Sequence, residues 1–188
     1  MPEREERRGD FILTYSGRRF WPLDPRPEDI DIEDIAHALA NLCRFTGHTS
    51  RFYAVAEHSV HVSDSASAPH KLWGLLHDAP EAYLGDLARP TKQAHAGFGL
   101  AYRRVERRLM LAICERFELL TVEPLEVLAL DDLVLETEAE ALMPPLPGGR
   151  RWTGNRPIAG LKINCWSSPI AKATFLARFH RLYGGESS

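Results

Sequence analysis

Apolar residues recur every three or four positions along most of the chain, and capping residues, prolines and glycines divide this pattern into segments of helical length. The pattern predicts an all-α fold of packed helices. Pro90 is expected to hold the segment around it extended. The expected helices run from Asp31 or Asp34 to about Cys43, then over about 50–67, 70–84, 102–118, 124–143 and 168–183.

The N-terminal part departs from the helical pattern. Residues 11–27 combine β-favouring side chains with Ser16-Gly17 and three prolines, which predicts a short hairpin or an irregular segment. With 188 residues and 44% hydrophobic content, the chain is long enough for one compact core, and no boundary divides it. We therefore expect a charged lead-in over 1–16 and a single domain over 17–188.

Charge and cysteine usage restrict the partners. A formal net charge of -3 and a pI of about 6.2 do not favour binding to a nucleic acid polymer or an anionic membrane. Residues 1–10 lack the apolar core of a signal peptide, and no segment approaches the ~20 apolar residues of a membrane span. Three distant cysteines without CxxC spacing predict reduced thiols. These features predict a cytoplasmic protein with a small phosphorylated substrate.

His58 lies in the middle of an apolar stripe. It is three residues after Val55 and four before Val62, so it faces inward on its predicted helix. Two interpretations stay open: a buried histidine satisfied by one hydrogen bond, which is favoured for a single residue of this kind, or a metal ligand. His61 is expected at the edge of the stripe.

Asp131 occupies a similar position in a second stripe, three residues after Leu128 and four before Leu135. Burying an unpaired carboxylate is costly, so an inward aspartate needs a cation or hydrogen-bond donors. Asp132 is rotated by about 100° from it and suits a salt bridge on the helix surface. Asp131 is therefore the stronger candidate ligand.

A third polar group completes the set. His77, Asp78 and Glu81 lie within an arc of about 100° on their predicted helix. Alone, this arc could face water. Together with His58 and Asp131 on two other helices, it supplies two imidazoles and two carboxylates, which suit one Mn, Co, Fe or Ni ion, with Zn possible and Mg less favoured.

A metal site of this kind predicts hydrolysis. A water on the ion would have a lowered pKa and could attack phosphorus, while Glu81 or Asp86 exchanges a proton with it. Phosphate also needs cations near the site. The basic residues close to the ends of these helices are Arg44, Arg51, Arg89 and Lys92.

The order of these motifs resembles a known family. V-A-E-H-S at 55–59 is followed by H-D-x-x-E-x-x-x-G-D-L-x-x-P-x-K at 77–92, and Asp131 precedes the glutamate of T-E-A at 137–139 by seven positions. Over about 17–143, the chain resembles the HD-domain metal-dependent phosphohydrolases, and most closely the bacterial 5′-deoxynucleotidases and related phage triphosphohydrolases. The resemblance implies that 17–188 is a single HD helical bundle.

The resemblance also implies roles for individual residues. The implied ligands of one divalent metal ion are His58, His77, Asp78 and Asp131. The implied acid/base or substrate-positioning groups are Glu81 and Asp86, and the implied phosphate contacts are Arg44 and Lys92. Phe45 corresponds to an aromatic that lies against the sugar and would exclude a 2′-hydroxyl. Separately, Trp21 could stack on a base, although a place in the core explains it equally well.

Three functions follow from this resemblance. The leading expectation is a 5′-deoxynucleotidase that converts a deoxynucleoside monophosphate to a deoxynucleoside and phosphate. The alternative is a dNTP triphosphohydrolase that releases tripolyphosphate, and a third is a non-catalytic nucleotide-sensing module. Residues 17–34 and 144–166 depart from the deoxynucleotidase pattern, so the substrate stays open. Similar proteins form dimers or larger rings, and we expect a homo-oligomer by analogy.

Overall fold

Helices make up most of the computed structural model, which describes residues 7–94 and 97–184. An antiparallel hairpin of β1 (Ile12–Leu13) and β2 (Arg19–Phe20) precedes them. The predicted all-α fold with a short N-terminal hairpin is confirmed. The α-helices are α1 (Ile32–Asn41), α2 (Val55–Ser65), α3 (Lys71–Leu76), α4 (Glu81–Leu84), α5 (Arg89–Lys92), α6 (Phe98–Arg116), α7 (Leu125–Leu142) and α8 (Ser168–Tyr183).

Two predicted helix starts are confirmed, and the first can now be assigned to one residue. Asp31 caps α1, because its carboxylate accepts a hydrogen bond from the Glu33 N–H at 2.9 Å. The alternative cap, Asp34, is buried and instead accepts bonds from the N–H and hydroxyl of Ser16 at 2.7 and 2.8 Å. Asp34 thereby fixes the hairpin turn to α1. At the other end of the chain, α8 begins at Ser168 as expected.

The second helix begins later than predicted, at Val55 instead of Ser50. The backbone before it pairs with the strand-like segment that follows α1: the Arg44 N–H donates to the Tyr53 carbonyl at 2.9 Å, and the Val55 N–H donates to the Leu42 carbonyl at 3.0 Å. Because these backbone N–H and carbonyl groups already pair with the segment after α1, the residues before Val55 do not form the predicted first turn of the helix. This pairing places Arg44 beside the start of α2.

The helix predicted over 70–84 is interrupted. α3 ends at Leu76 and α4 begins at Glu81, with a tighter turn between them in which the Glu81 N–H donates to the Asp78 carbonyl, three residues back. Pro80 lacks the N–H that a continuous α-helix would use at this point. His77 and Asp78 therefore lie in a turn instead of a regular helix.

Two further boundaries differ from the prediction. Pro90 does not hold its segment extended: it lies in the first turn of the short helix α5, where a missing N–H has no cost. α6 begins at Phe98, one turn before Tyr102, directly after Gly97 at a φ of 64°. No helix within 7–94 and 97–184 combines the length and apolar character needed to cross a bilayer.

The core surrounds α2, which packs against α1, α3, α7 and α8. Residues 55–63 are buried without exception, so this helix has no solvent-facing side over most of its length. The main apolar cluster joins α1, α2, α3, α4, α6 and α8. A smaller cluster of Val62, Trp73, Val127 and Val134 attaches α7 to α2 and α3. Any side chain directed from α2 towards α7 therefore lies deep in the protein.

Two buried carboxylates anchor the irregular segment between α7 and α8. Glu57 on α2 accepts hydrogen bonds from three successive backbone N–H groups, those of residues 164–166, at 2.8, 3.0 and 2.6 Å. Glu136 on α7 accepts from the N–H groups of residues 152 and 153 at 3.3 and 2.8 Å. The segment is thus fixed to both helices by charge-assisted bonds.

Candidate metal centre

Three of the four predicted ligands converge at one point. His58 from α2, His77 from the turn after α3 and Asp131 from α7 each place a donor atom within 4.8 Å of the others. The Nε2 atom of His58 lies 3.2 Å from His77 Nε2 and 3.2 Å from Asp131 Oδ1. The arrangement is a His/Asp group that could hold a metal ion.

Asp78, the fourth predicted ligand, lies against the same atoms. Its Oδ2 is 3.3 Å from His77 Nε2 and 3.6 Å from His58 Nε2. Ligand atoms bound at ~2.1 Å to one ion lie roughly 3.0–3.4 Å apart. The separations of 3.2 Å from His58 Nε2 to His77 and to Asp131 fit ligands that share one cation, whereas Asp78, at 3.6 Å from His58 Nε2, lies at the border of this group. The mixed imidazole and carboxylate donors suit a transition metal.

The other nitrogen of each imidazole is held by the protein, so that Nε2 faces the group. His58 Nδ1 lies 2.6 Å from Glu138 Oε1, and His77 Nδ1 lies 2.7 Å from the carbonyl oxygen of Gly74. A carbonyl can only accept, so His77 Nδ1 carries the proton. Metal-ligating histidines are commonly oriented by such bonds, which fix the tautomer and raise ligand basicity.

Glu138 contacts a candidate ligand but was not among the predicted site residues, since T-E-A at 137–139 served only to select Asp131. Its fully buried carboxylate contacts His58, accepts from the Tyr53 hydroxyl at 2.8 Å and from Arg44 Nε at 3.1 Å. Burial raises the pKa of Glu138, but the charges of Arg44 and His58 outweigh burial and lower it. The available signal was its position two helical turns after Asp131 on the same face.

Arg44, a predicted phosphate contact, lies at the edge of the centre. Its Nη1 is 3.4 Å from Asp78 Oδ2, and its Nε bonds Glu138. Burial disfavours the charge, but the facing carboxylates of Glu138 and Asp78 raise the pKa of Arg44 above its ordinary value. Within the described chain, Nη2 forms no hydrogen bond, which leaves one donor group for a ligand.

Asp131 is confirmed as the inward member of its pair, although the stripe that carries it is displaced by one residue. Leu128 is 46% exposed, and the buried face runs instead through Val127 and Val134. Burial raises the pKa of Asp131, and the hydrogen bond and charge of His58 outweigh it and lower the pKa.

An arginine joins Asp131 to its neighbour on α7. Arg89 on α5 contacts Asp131 Oδ2 at 3.1 Å and Asp132 Oδ1 at 2.7 Å. Asp132 forms the predicted salt bridge, and Oδ1 of Asp131 stays directed at the imidazoles.

Glu81 lies next to the centre and is paired with a lysine. Lys92 Nζ is 2.7 Å from Glu81 Oε1 and 2.9 Å from Glu106 Oε1. Burial and the negative charge of Asp78 raise the pKa of Glu81, and Lys92 opposes this. Within the described residues, Glu81 Oε2 is buried and has no hydrogen-bond partner. Burial also raises the pKa of Asp86, whose charge interacts with Arg44, Asp78 and Lys92.

The two predicted base or sugar contacts lie in different environments. Phe45 follows Arg44 directly, and its ring contacts Trp152 at 5.7 Å between centroids. Trp21 lies after β2 with its ring against Phe11 and the guanidinium of Arg7, 4.5 Å from the ring centre. The structure therefore brings Phe45 to the edge of the site together with Trp152, which the sequence did not single out.

Two open surface clefts lie elsewhere. One, of about 470 Å³, is lined by Arg51, Phe52 and Trp166 among others, and the second, of about 390 Å³, lies between α7 and residues 157–163. Neither is lined by the four candidate ligands. Arg51, one of the cations considered for phosphate, borders the first cleft.

Comparison with known proteins identifies relatives. No protein-family model matches the chain. It is 38% identical over 132 residues to the uncharacterized protein YfdR of Escherichia coli K12, covering 70% of this chain and 72% of YfdR. It is 38% identical over 184 residues to the uncharacterized protein RCAP_rcc00048 of Rhodobacter capsulatus, covering 89% of this chain and 92% of the relative. The chain therefore belongs to the family that contains YfdR and RCAP_rcc00048.

Proposed function

We propose that the protein is an HD-type metal-dependent phosphohydrolase that releases phosphate from deoxynucleoside 5′-monophosphates. The observation that carries the proposal is the convergence of His58, His77 and Asp131 from separate segments, with Asp78 against the same atoms. These residue types occur in the order that the HD phosphohydrolases use. The imidazoles are already oriented with Nε2 towards the group.

The four ligands would hold one divalent ion, which lowers the pKa of a bound water and polarises a phosphoryl oxygen. The protein supplies the remaining functions. Arg44 keeps Nη2 free for a phosphate oxygen while its other nitrogens are fixed by Glu138 and Asp78. Because Lys92 already contacts Glu81 and Glu106, we propose that it is a weaker phosphate contact than Arg44.

Glu81 is the proposed proton carrier. Its Oε2 has no partner within the described chain, and its pKa is raised by burial, so it can hold a proton closer to neutral pH than an exposed glutamate. Burial also raises the pKa of Asp86, which would position the substrate or share this role.

We expect Glu81→Ala to keep the metal and to lower kcat by about 10²–10⁴-fold, the usual contribution of a general acid or base. Metal content measured by mass spectrometry, together with steady-state rates, checks this. Glu106→Ala is the matched control, since it also removes a carboxylate from Lys92 but lies on α6, outside the proposed chemistry. Equal losses in the two variants would show that Glu81 acts only through Lys92.

The proposed function is tested by incubating the protein with dAMP or dATP in the presence of Mn or Co. Inorganic phosphate released from dAMP, and abolished by a chelator, supports it. Tripolyphosphate released from dATP would make the protein a triphosphohydrolase instead. Unchanged nucleotides after long incubation would favour a nucleotide-sensing module, and hydrolysis undiminished by the chelator would contradict the role of the metal.

A further inference from the structure

Phe45 and Trp152 form an aromatic corner at the edge of the candidate metal centre. Their ring centroids are 5.7 Å apart and their planes meet at 84°, so the edge of one ring faces the other. Trp152 remains 44% exposed. An exposed tryptophan side chain offers a large aromatic surface and an N–H donor, which suit contact with a ligand ring.

The backbone on both sides of this corner is fixed by the surrounding structure, and on the Phe45 side it is strained. Phe45 and Thr46 both adopt a φ of 53°, in the left-handed region that residues other than glycine rarely occupy. Such backbone persists only where the surrounding structure enforces it, and it is concentrated at functional sites. On the other side, the buried carboxylate of Glu136 accepts bonds from the N–H of Trp152 and from the N–H and hydroxyl of Thr153.

The corner is connected to the candidate ligands from two directions. Arg44, directly before Phe45, contacts Asp78 Oδ2 at 3.4 Å. Thr153, directly after Trp152, donates from its hydroxyl to the carbonyl of Asp132 at 3.3 Å, next to Asp131. Phe45 and Trp152 are therefore each one residue away from a side chain that is bonded to Asp78 or to the backbone of Asp132, next to the candidate ligand Asp131.

We propose that Trp152, supported by Phe45, forms the subsite for the heteroaromatic base of the substrate. This proposal rests on the proposed function. It adds that the protein prefers nucleotides to sugar phosphates that carry no base. Stacking on an exposed aromatic face is tolerant of base identity, since every base presents a π-face. Trp21 is the competing candidate, but Arg7 and Phe11 already cover its ring.

The test compares dAMP with 2-deoxyribose 5-phosphate, which carries the same phosphate and sugar but no base. Trp152→Ala is expected to lower kcat/KM for dAMP by about 10–100-fold, mainly through a higher KM, and to leave the abasic substrate unchanged. Trp152→Phe, which keeps an aromatic face, should recover most of the activity on dAMP. Trp21→Ala is the control and should affect neither substrate selectively.

Each result supports or overturns the subsite. Equal losses on both substrates would assign Trp152 to structure, and a selective loss in Trp21→Ala would move the base to the other tryptophan. If wild-type protein hydrolyses neither substrate, the proposed function fails, and the subsite is then tested by equilibrium titration with dAMP. Unaltered dAMP affinity in Trp152→Ala would overturn the subsite independently of turnover.

Discussion

Asp131→Ala is expected to abolish divalent metal binding and turnover while leaving the fold intact. Asp131 supplies one of the donor atoms that lie within 4.8 Å of each other, and its Oδ1 directly faces His58 Nε2. Removing a ligand should cost more than the about 10–100-fold loss of metal affinity that follows removal of a group that only orients a ligand. We expect the same outcome for Asp78→Ala. Calorimetric titration with Mn or Co, with circular dichroism as a check on folding, measures the effect.

Asp132→Ala is the matched control for this prediction. It removes a carboxylate from the adjacent position of α7, where the side chain is 41% exposed and contacts only the exposed edge of Arg89 among the described residues. Its metal affinity should stay within a few-fold of wild type. A metal-loaded and fully active Asp131→Ala variant, or one indistinguishable from Asp132→Ala, would be incompatible with the proposed ligands.

Glu138→Ala is expected to lower the free energy of unfolding by about 3–5 kcal/mol, the cost of removing one partner of a buried ion pair. Arg44, Tyr53 and His58 all direct polar atoms at this carboxylate. Since Arg44 keeps Asp78 as a second partner, the lower end of that range is expected. For a chain of this length, the corresponding fall in Tm is roughly 10 °C. Denaturant unfolding of chelator-treated protein excludes any contribution from metal binding.

Glu140→Ala tests whether this loss is specific to the buried position. Glu140 lies two residues further along α7, is 67% exposed, and reaches Arg151 only at 4.0 Å. Its removal should change stability by less than about 0.5 kcal/mol. Similar effects at the two positions would mean that helix propensity, and not the buried ion pair, determines the result.

The sequence predicted the helices best where a local signal and the tertiary packing agree. Asp31 and the Ser168-Pro169 pair mark helix starts through capping and backbone restriction, which depend on a few neighbouring residues. The prediction was wrong at Ser50 because the backbone there pairs with residues near Arg44, a contact that no local pattern encodes. It was also wrong across Pro80: the apolar spacing favours one continuous helix there, but proline lacks the N–H that such a helix would use.

The candidate site was predictable to the extent that its residues stand out individually. A histidine within an apolar stripe and an aspartate on a buried face both need partners, and His58 and Asp131 do meet in the structure. Glu138 was missed because glutamate in a helix is ordinarily a solvent-facing residue. Trp152 was not predicted to lie beside Phe45, because its position depends on hydrogen bonds from an irregular segment to Glu136. No periodic pattern in the sequence indicates such bonds.

The bonds that Glu57 accepts from residues 164–166 have a consequence for how far this chain can be shortened. Glu57 and His58 are consecutive, so the residue that retains the C-terminal segment and a candidate ligand occupy the same turn of α2. Truncation after α7 would remove the three N–H donors of the Glu57 carboxylate, which lies directly before His58. We therefore expect a fragment that ends near Met143 not to fold independently, and the segment from 164 onwards to be needed for His58 to keep its position.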